Sequence, residues 1–166
     1  MSASGSIRPA GSIPITRHEN MEILIRAYTP SDLHRLSAIW FEASMHAHPF
    51  LGEPRLREQQ ALIENVYLPG AETWVAWCDG APAGFIGLLD TSIGGLFVAP
   101  AMHGRGIGRA LVAHALKLKG ALDLEVYADN LGARAFYERL GFDEVTRRDE
   151  DDDGLPFANI RMRSTS

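Results

Sequence analysis

The feature that most constrains this chain is a glycine-rich loop between an apolar segment and a helical pattern. Residues 96–111 read L-F-V-A-P-A-M-H-G-R-G-I-G-R-A-L, and the loop contains Gly104, Gly106 and Gly108. Glycines let a backbone approach an anion closely and direct successive N–H groups at it. The N-terminus of the helix that follows adds a partial positive charge. The segment therefore predicts a cradle for a phosphate or pyrophosphate group.

Two widespread phosphate-binding loops do not fit this segment. A P-loop requires Lys followed by Ser or Thr after its glycines, and no such pair follows here. A dinucleotide-binding fingerprint requires a small third residue, whereas that position holds Arg109 or Leu111, depending on the starting glycine. A nucleotide- or NAD-binding protein is therefore disfavoured. A glycine-rich connector that binds nothing is the plain structural alternative.

The rest of the chain alternates between strand and helix patterns. Apolar alternation and turn residues predict strands at 22–26, 73–78, 82–89, 92–98, 122–126, 142–148 and 156–163. Helical spacing predicts helices at 31–46, 54–66, 107–118 and 130–140. Residues 1–20 are rich in Ser, Gly and Pro and predict a flexible leader, so residues 21–166 are expected to form one domain.

Composition narrows the classes of function. The formal net charge of -5 argues against nucleic-acid binding, which needs a basic surface. The sequence has neither a signal-peptide core nor an apolar run near the roughly 20 residues that span a bilayer. The single cysteine, Cys78, excludes an internal disulfide and a cysteine-based zinc site, so we expect no metal and a cytoplasmic location. Its apolar surroundings predict a packed thiol.

A second block of sequence occurs downstream of the loop. Residues 130–142 read N-L-G-A-R-A-F-Y-E-R-L-G-F. Together the two blocks resemble the GCN5-related N-acetyltransferase (GNAT) superfamily, whose acyl-coenzyme A motif runs Gln or Arg, two residues, Gly, one residue, Gly or Ala. His103, Gly106 and Gly108 take those three positions, and His103 departs from the usual Gln or Arg. The resemblance covers residues 22–163 and is strongest to small bacterial peptidyl-lysine N-acetyltransferases.

The resemblance implies a fold, a cosubstrate and a reaction. The fold is of the α/β (α+β) kind, a mixed, mostly antiparallel sheet of six to seven strands flanked by about four helices. The reaction moves an acetyl group from acetyl-CoA to a small-molecule or peptide amine, by direct attack in a ternary complex. On the matching positions, cofactor contacts fall on Leu96, Phe97, Val98, His103, Gly104, Arg105, Gly106, Ile107, Gly108, Arg109, Asn130 and Tyr137.

The resemblance also places Tyr137 where the general acid is often found. A phenol has an ordinary pKa near 10, so at neutral pH it can donate a proton to a departing thiolate. The plain alternative is a helix residue that packs beside Phe136. Backbone N–H groups near Val98 are candidates to polarise the thioester carbonyl.

The general base is less well marked, because the strand before the loop lacks the glutamate that some GNAT members carry. His48 is our candidate, because a histidine can accept a proton near neutral pH. His46 is the neighbouring alternative, and Asp90 and Glu53 are weaker ones. A structural role is expected for His114, which lies inside a predicted helix.

Several alternatives stay open at this point. A non-catalytic acyl-CoA-binding or sensor module on the same fold is the rival to an enzyme. The acceptor can be a protein lysine, a peptide N-terminus, a polyamine, an aminoglycoside or an amino acid, and the acidic balance favours a cation. A homodimer is common in similar proteins. The acidic run at 149–154 predicts a solvated hairpin tip, with a site for a cationic substrate as the alternative.

Overall fold

A seven-stranded sheet forms the centre of the computed structural model, which describes residues 22–47 and 49–164. Along the chain the strands are β1 Ile23–Ala27, β2 Glu72–Cys78, β3 Ala81–Leu89, β4 Ser92–Val98, β5 Asp123–Tyr127, β6 Phe142–Arg148 and β7 Asn159–Ser164. Their order across the sheet is β1-β2-β3-β4-β5-β7-β6. All neighbours are antiparallel except β4 and β5, which run parallel.

Strands β4 and β5 separate after a short contact. The two pairs that join them are Ser92 with Asp123 and Ile93 with Leu124. On its other side, β4 pairs Ile93 with Leu88 and then Gly95 with Gly87, so Gly94 is an extra, bulged residue. A bulge bends a strand and increases its twist. We call the resulting gap between the two strands the β4–β5 split.

Four helices cover the two faces of the sheet: α1 Leu33–Ala47, α2 Glu53–Leu62, α3 Ile107–Lys119 and α4 Leu131–Arg139. Helix α2 continues through a π-helical turn, Ile63–Tyr67, and a further helical turn, Leu68–Gly70. One core joins α1 and α2 to side chains such as Phe85. The other core joins α3 and α4 to side chains such as Ile86. Adjacent residues of β3 thus serve opposite faces, as the strand period requires.

The predicted fold is confirmed, and the main differences are local. The last strand begins at Asn159 and not at Pro156, because Pro156 has no N–H for a sheet ladder. The first helix is preceded by a 3-10 turn, Pro30–Asp32, that a capping box between Thr29 and Asp32 fixes. None of the helices within residues 22–47 and 49–164 has the length and apolar character that crossing a bilayer requires. The predicted leader, residues 1–20, lies outside the described residues.

Candidate active site

Two cavities meet at the β4–β5 split. The helix-side cavity, of about 710 Å³, lies between the end of α1 and the starts of α3 and α4. The sheet-side cavity, of about 620 Å³, lies against β4, β5 and β7. Both cavities are lined by the same five residues at their meeting point: Leu96, Phe97, Asn130, Ala133 and Tyr137. Molecules bound in the two cavities would therefore touch at the split.

The glycine loop forms one end of the helix-side cavity. Gly104 and Gly106 have φ values of +79° and +82°, in the left-handed region that favours glycine. Gly106 is the N-cap of α3, and among the described residues no side chain caps that end. The first N–H groups of α3 therefore remain available to an anion, and open space surrounds both glycines. This geometry fits the pyrophosphate of coenzyme A.

The third glycine of the loop serves packing. A Cβ atom on Gly108 would lie 3.3 Å from the ring of Phe136. A larger residue would push α3 away from α4, so Gly108 keeps the cavity walls close together.

The predicted cofactor residues lie together, with one exception. The helix-side cavity is lined by Leu96, Phe97, Val98, His103, Gly104, Gly106, Ile107, Gly108, Arg109, Asn130 and Tyr137. Arg105 is not part of its lining. That guanidinium lies near Cys78, whose pKa is raised by burial and by Asp79 and lowered by Arg105. Cys78 is a buried core thiol, as predicted.

Two of these side chains already have partners within the protein. The Nε2 atom of His103 lies 3.1 Å from the carbonyl oxygen of Val98, at the end of β4. The Oδ1 atom of Asn130 accepts a hydrogen bond of 3.1 Å from the backbone N–H of Ala133 and so caps α4. The imidazole of His103 is thus directed at β4, and the amide oxygen of Asn130 stabilises the start of α4.

Tyr137 is the one titratable side chain shared by both cavities among the described residues. It is only 6% exposed, and its ring packs edge-on against Phe136 and Phe142, with centroids 5.1 and 5.4 Å away. Burial, and to a smaller degree the nearby phenol of Tyr67, raise its pKa above the ordinary value. The hydroxyl therefore stays protonated at neutral pH, as a general acid must.

The sheet-side cavity is acidic. Three carboxylates line it, on Asp123, Glu125 and Asp152, against the single guanidinium of Arg161. Burial acts to raise the pKa of Asp123, but hydrogen bonds from Ser92 and Arg161 outweigh burial and hold that pKa below its usual value. The negative charge on this wall is therefore maintained at neutral pH.

The other two carboxylates share one cation. Arg148 lies 2.9 Å from Glu125 and 3.0 Å from Asp152. Because one guanidinium serves both, the cavity retains an excess of negative charge, which suits a cationic ligand.

The acidic loop is largely the exposed hairpin connection that we predicted, and only Asp151 departs from that prediction. The side chain of Asp151 is 4% exposed and lies 2.8 Å from Arg55 of α2. Arg55 also lies 2.7 Å from Asp153 and hydrogen-bonds Tyr127. These ion pairs hold the loop against α2. Asp152, in the same loop, lines the sheet-side cavity. The burial of Asp151 was not predicted because its partner, Arg55, is 96 residues away in sequence.

None of the described base candidates lines the sheet-side cavity. His48 is outside the described residues. His46 lines the helix-side cavity, where its ring meets that of His103 at 5.6 Å. Asp90 and Glu53 line neither of the two cavities described above. His114 packs against Trp74 at 4.5 Å, consistent with the structural role expected.

Sequence reasoning missed the carboxylates of β5. That strand reads D-L-E-V-Y, and its alternation turns residues 123, 125 and 127 toward the sheet-side cavity. The period-two alternation of charged and apolar residues indicates that the carboxylates share one face of the strand, and it could have been read from the sequence. Only the β4–β5 split shows that this face borders a cavity.

A split sheet, a glycine cradle at a free helix N-terminus and a buried tyrosine at the meeting point define an acyl-CoA-dependent transferase. The described residues contain no group of three or more His, Cys, Asp or Glu side chains that could hold a metal ion. Residues 24–142 match the Acetyltransferase (GNAT) family, and the chain belongs to this family. The protein is an N-acetyltransferase, and acetyl-CoA is its cosubstrate.

Known proteins support this assignment. The chain is 36% identical over 143 residues to the peptidyl-lysine N-acetyltransferase YjaB of Salmonella typhimurium, covering 86% of this chain and 98% of the relative. The solution structure of apo-form YjaB from Escherichia coli has a TM-score of 0.81 and 33% identity, covering 88% of this chain and 99% of that one. The PaiA N-acetyltransferase of Thermoplasma acidophilum, solved with coenzyme A, shares the fold, with a TM-score of 0.73, 18% identity and coverage of 88% and 100%.

Proposed function

We propose that the protein acetylates a primary amine by direct attack within a ternary complex, at the meeting point of its two cavities. The observation that carries this proposal is the shared lining of the cavities, which includes Tyr137. Acetyl-CoA and the acceptor enter from different cavities, so both can be bound at once. An acyl-enzyme is unnecessary, and Cys78 is 4% exposed in the core and lines neither cavity.

The helix-side cavity is the proposed acetyl-CoA site. The pyrophosphate would lie on the N–H groups of Gly104 to Gly108, where the φ values and the uncapped helix leave donors free. The pantetheine arm would follow β4 beyond Ile93, where pairing with β5 has ended. A strand edge that has lost its neighbour offers backbone donors and acceptors to an extended ligand.

The proposed chemistry uses one base and one acid. The amine loses a proton to Glu125, directly or through water, and its nitrogen attacks the thioester carbonyl carbon. The carbon–sulfur bond then breaks, the hydroxyl of Tyr137 protonates the leaving thiolate, and the second proton of the attacking nitrogen returns to the Tyr137 oxygen as the amide forms. Glu125 replaces His48 as the proposed base because Glu125 lines the cavity that the amine would occupy.

The proposed acceptor is a lysine side chain. Three carboxylates against the two guanidiniums of Arg161 and Arg148 leave an excess of negative charge, which favours a cationic substrate. The relative from Salmonella typhimurium is itself named a peptidyl-lysine N-acetyltransferase. A lysine amine has an ordinary pKa near 10.4, so it arrives as a cation and must be deprotonated in the site.

The test is a steady-state assay of thiol release with acetyl-CoA and lysine peptides, followed by a mass measurement of the peptide. We expect turnover and an added acetyl group on the side-chain amine. The rival is a sensor that binds acetyl-CoA without turnover. Thermal stabilisation by acetyl-CoA, combined with silence across a broad amine panel, would favour the sensor.

A further inference from the structure

Tyr67 occupies a slot that two glycines create beside the β4–β5 split. The tyrosine ends the π-helical turn Ile63–Tyr67 that follows α2. Its hydroxyl oxygen lies 2.5 Å from the position a Cβ atom on Gly94 would take, and nearer still to that of Gly87. Real Cβ atoms do not come this close, so the phenol fits only because both residues are glycine.

The hydroxyl of Tyr67 has no hydrogen-bond partner among the described residues and is shielded from solvent. Most buried polar groups are hydrogen-bonded, and leaving one unpaired costs stability. Phenylalanine would fill the same slot without this cost. The hydroxyl therefore requires a reason other than packing.

The position of the hydroxyl suggests that reason. Gly94 is the bulged residue of β4, directly after the last pair with β5, and it lines the sheet-side cavity. The Tyr67 hydroxyl does not itself line the cavity, but it lies against Gly94, which does. π-Helical turns, which are rare, occur frequently at functional sites.

We propose that Tyr67 is a second functional phenol of the transfer site, whose hydroxyl becomes a hydrogen-bond partner of the acceptor amine when that amine reaches the β4–β5 split. This inference rests on the proposed function. The phenol oxygen accepts a hydrogen bond from an N–H of the amine, and the nitrogen lone pair stays directed at the thioester carbonyl. The contact forms as the Gly94 backbone or the phenol ring shifts, and glycine permits such a shift.

This role differs from that of Tyr137. Tyr137 lines both cavities and is placed to protonate the leaving thiolate. Tyr67 lies against Gly94, which lines the sheet-side cavity and not the other, so we expect Tyr67 to act on the binding and orientation of the amine. Its loss should change KM for the amine and leave the affinity for acetyl-CoA unchanged.

The test is Tyr67→Phe, assayed with acetyl-CoA and a lysine peptide whose α-amino group is blocked. We expect KM for the peptide to rise roughly 2- to 12-fold, the ratio that one neutral hydrogen bond contributes. The melting temperature should stay equal or increase, since an unpaired buried hydroxyl is removed. Tyr28→Phe is the matched control, because Tyr28 packs in the same core as Tyr67 but is not among the nearest atoms to the Cβ positions of Gly87 and Gly94.

A second variant tests the position of the phenol. Gly94→Ala places a methyl group 2.5 Å from the hydroxyl, whereas in Tyr67→Phe the nearest ring carbons lie at 3.0 and 3.2 Å. We expect Gly94→Ala to raise KM for the peptide strongly in the wild-type background and only weakly in Tyr67→Phe. Independent, multiplying effects would overturn the link between the two residues.

The outcomes separate the two proposals. An active wild type with unchanged KM in Tyr67→Phe overturns the role of Tyr67 alone. A lower melting temperature together with weaker acetyl-CoA binding also overturns it, because that result describes packing. A wild-type protein that acetylates no amine overturns the proposed function.

Discussion

Gly106 and Gly80 share a backbone φ of +82°, yet only Gly106 lies at the helix N-terminus that lines the helix-side cavity. Gly80 belongs to the hairpin turn between β2 and β3. Neither residue has any atom within 4 Å of the position of an added Cβ. A comparison of the same substitution at both positions therefore separates the cost of backbone strain from an effect on ligand binding.

The first prediction compares Gly106→Ala with Gly80→Ala. Both should lose about 1–2 kcal/mol of unfolding free energy, the cost of a left-handed conformation with a Cβ atom. Only Gly106→Ala should weaken acetyl-CoA binding, by roughly 5- to 30-fold, because its added Cβ enters open space at the loop proposed to hold the pyrophosphate. Isothermal titration and urea unfolding measure the two effects. Equal affinities in both variants would remove Gly106 from the cradle.

The second prediction concerns Tyr137→Phe. The turnover number should fall by roughly 10²- to 10⁴-fold, the contribution of a positioned acid, while acetyl-CoA binds as before. The ring packing against Phe136 and Phe142 is kept, so the melting temperature should change little. Turnover unchanged in this variant would leave Tyr137 a packing residue.

The pH profile gives the third prediction, with its sign set by burial. An acid catalyst is lost as the pH rises above its pKa, and the pKa of Tyr137 is raised above the ordinary value near 10. The turnover number should therefore show no fall as the pH rises to about 10. A decline that begins below pH 9 would contradict Tyr137 as the acid.

The fourth prediction pairs Glu125→Gln with Glu144→Gln. Each glutamate lies on a strand and forms an ion pair with an arginine, Arg148 or Arg134. Only Glu125 lines the sheet-side cavity. Glu125→Gln should lower kcat/KM by about 100-fold or more, whereas Glu144→Gln should have little effect. Similar losses in both would indicate a general effect of surface charge.

The sequence allowed the strand–glycine loop–helix unit to be predicted because its determinants are local. Gly104, Gly106 and Gly108 are close neighbours, and the apolar pattern of α3 begins directly after them. The resemblance supplied Tyr137, whose ring does reach the meeting point of the cavities. The homodimer, the cytoplasmic location and the flexible leader stay predictions.

The contacts around the sheet-side cavity that join distant segments could not be predicted from the sequence. Arg55 and Asp151 meet across 96 residues, and Tyr67 reaches Gly87 and Gly94 through a π-helical turn. Helical periodicity over residues 54–66 indicates a continuous helix and gives no signal for such a turn. Helix propensity reflects only the local sequence, whereas these contacts depend on tertiary packing.

The last prediction uses two carboxylates that share one arginine. Asp151 and Asp153 both bind Arg55, at 2.8 and 2.7 Å, but their side chains are 4% and 61% exposed. Asp151→Asn breaks a buried pair and should cost roughly 2–4 kcal/mol of unfolding free energy. Asp153→Asn breaks an exposed pair and should cost at most about 1 kcal/mol.

The same two variants test whether the acidic loop shapes the acceptor site. Asn can keep the hydrogen bonds that Oδ1 of Asp151 accepts from the N–H groups of Asp153 and Leu155, but it loses the contact of Oδ2 with Arg55, which should loosen the loop that carries Asp152. KM for a lysine peptide should rise in Asp151→Asn, while the dissociation constant of acetyl-CoA stays at its wild-type value. Steady-state kinetics with the peptide, measured below the melting temperature, give KM, and titration with acetyl-CoA gives the dissociation constant. A parallel loss of acetyl-CoA affinity would show that the loop stabilises the whole domain and does not act on the acceptor cavity.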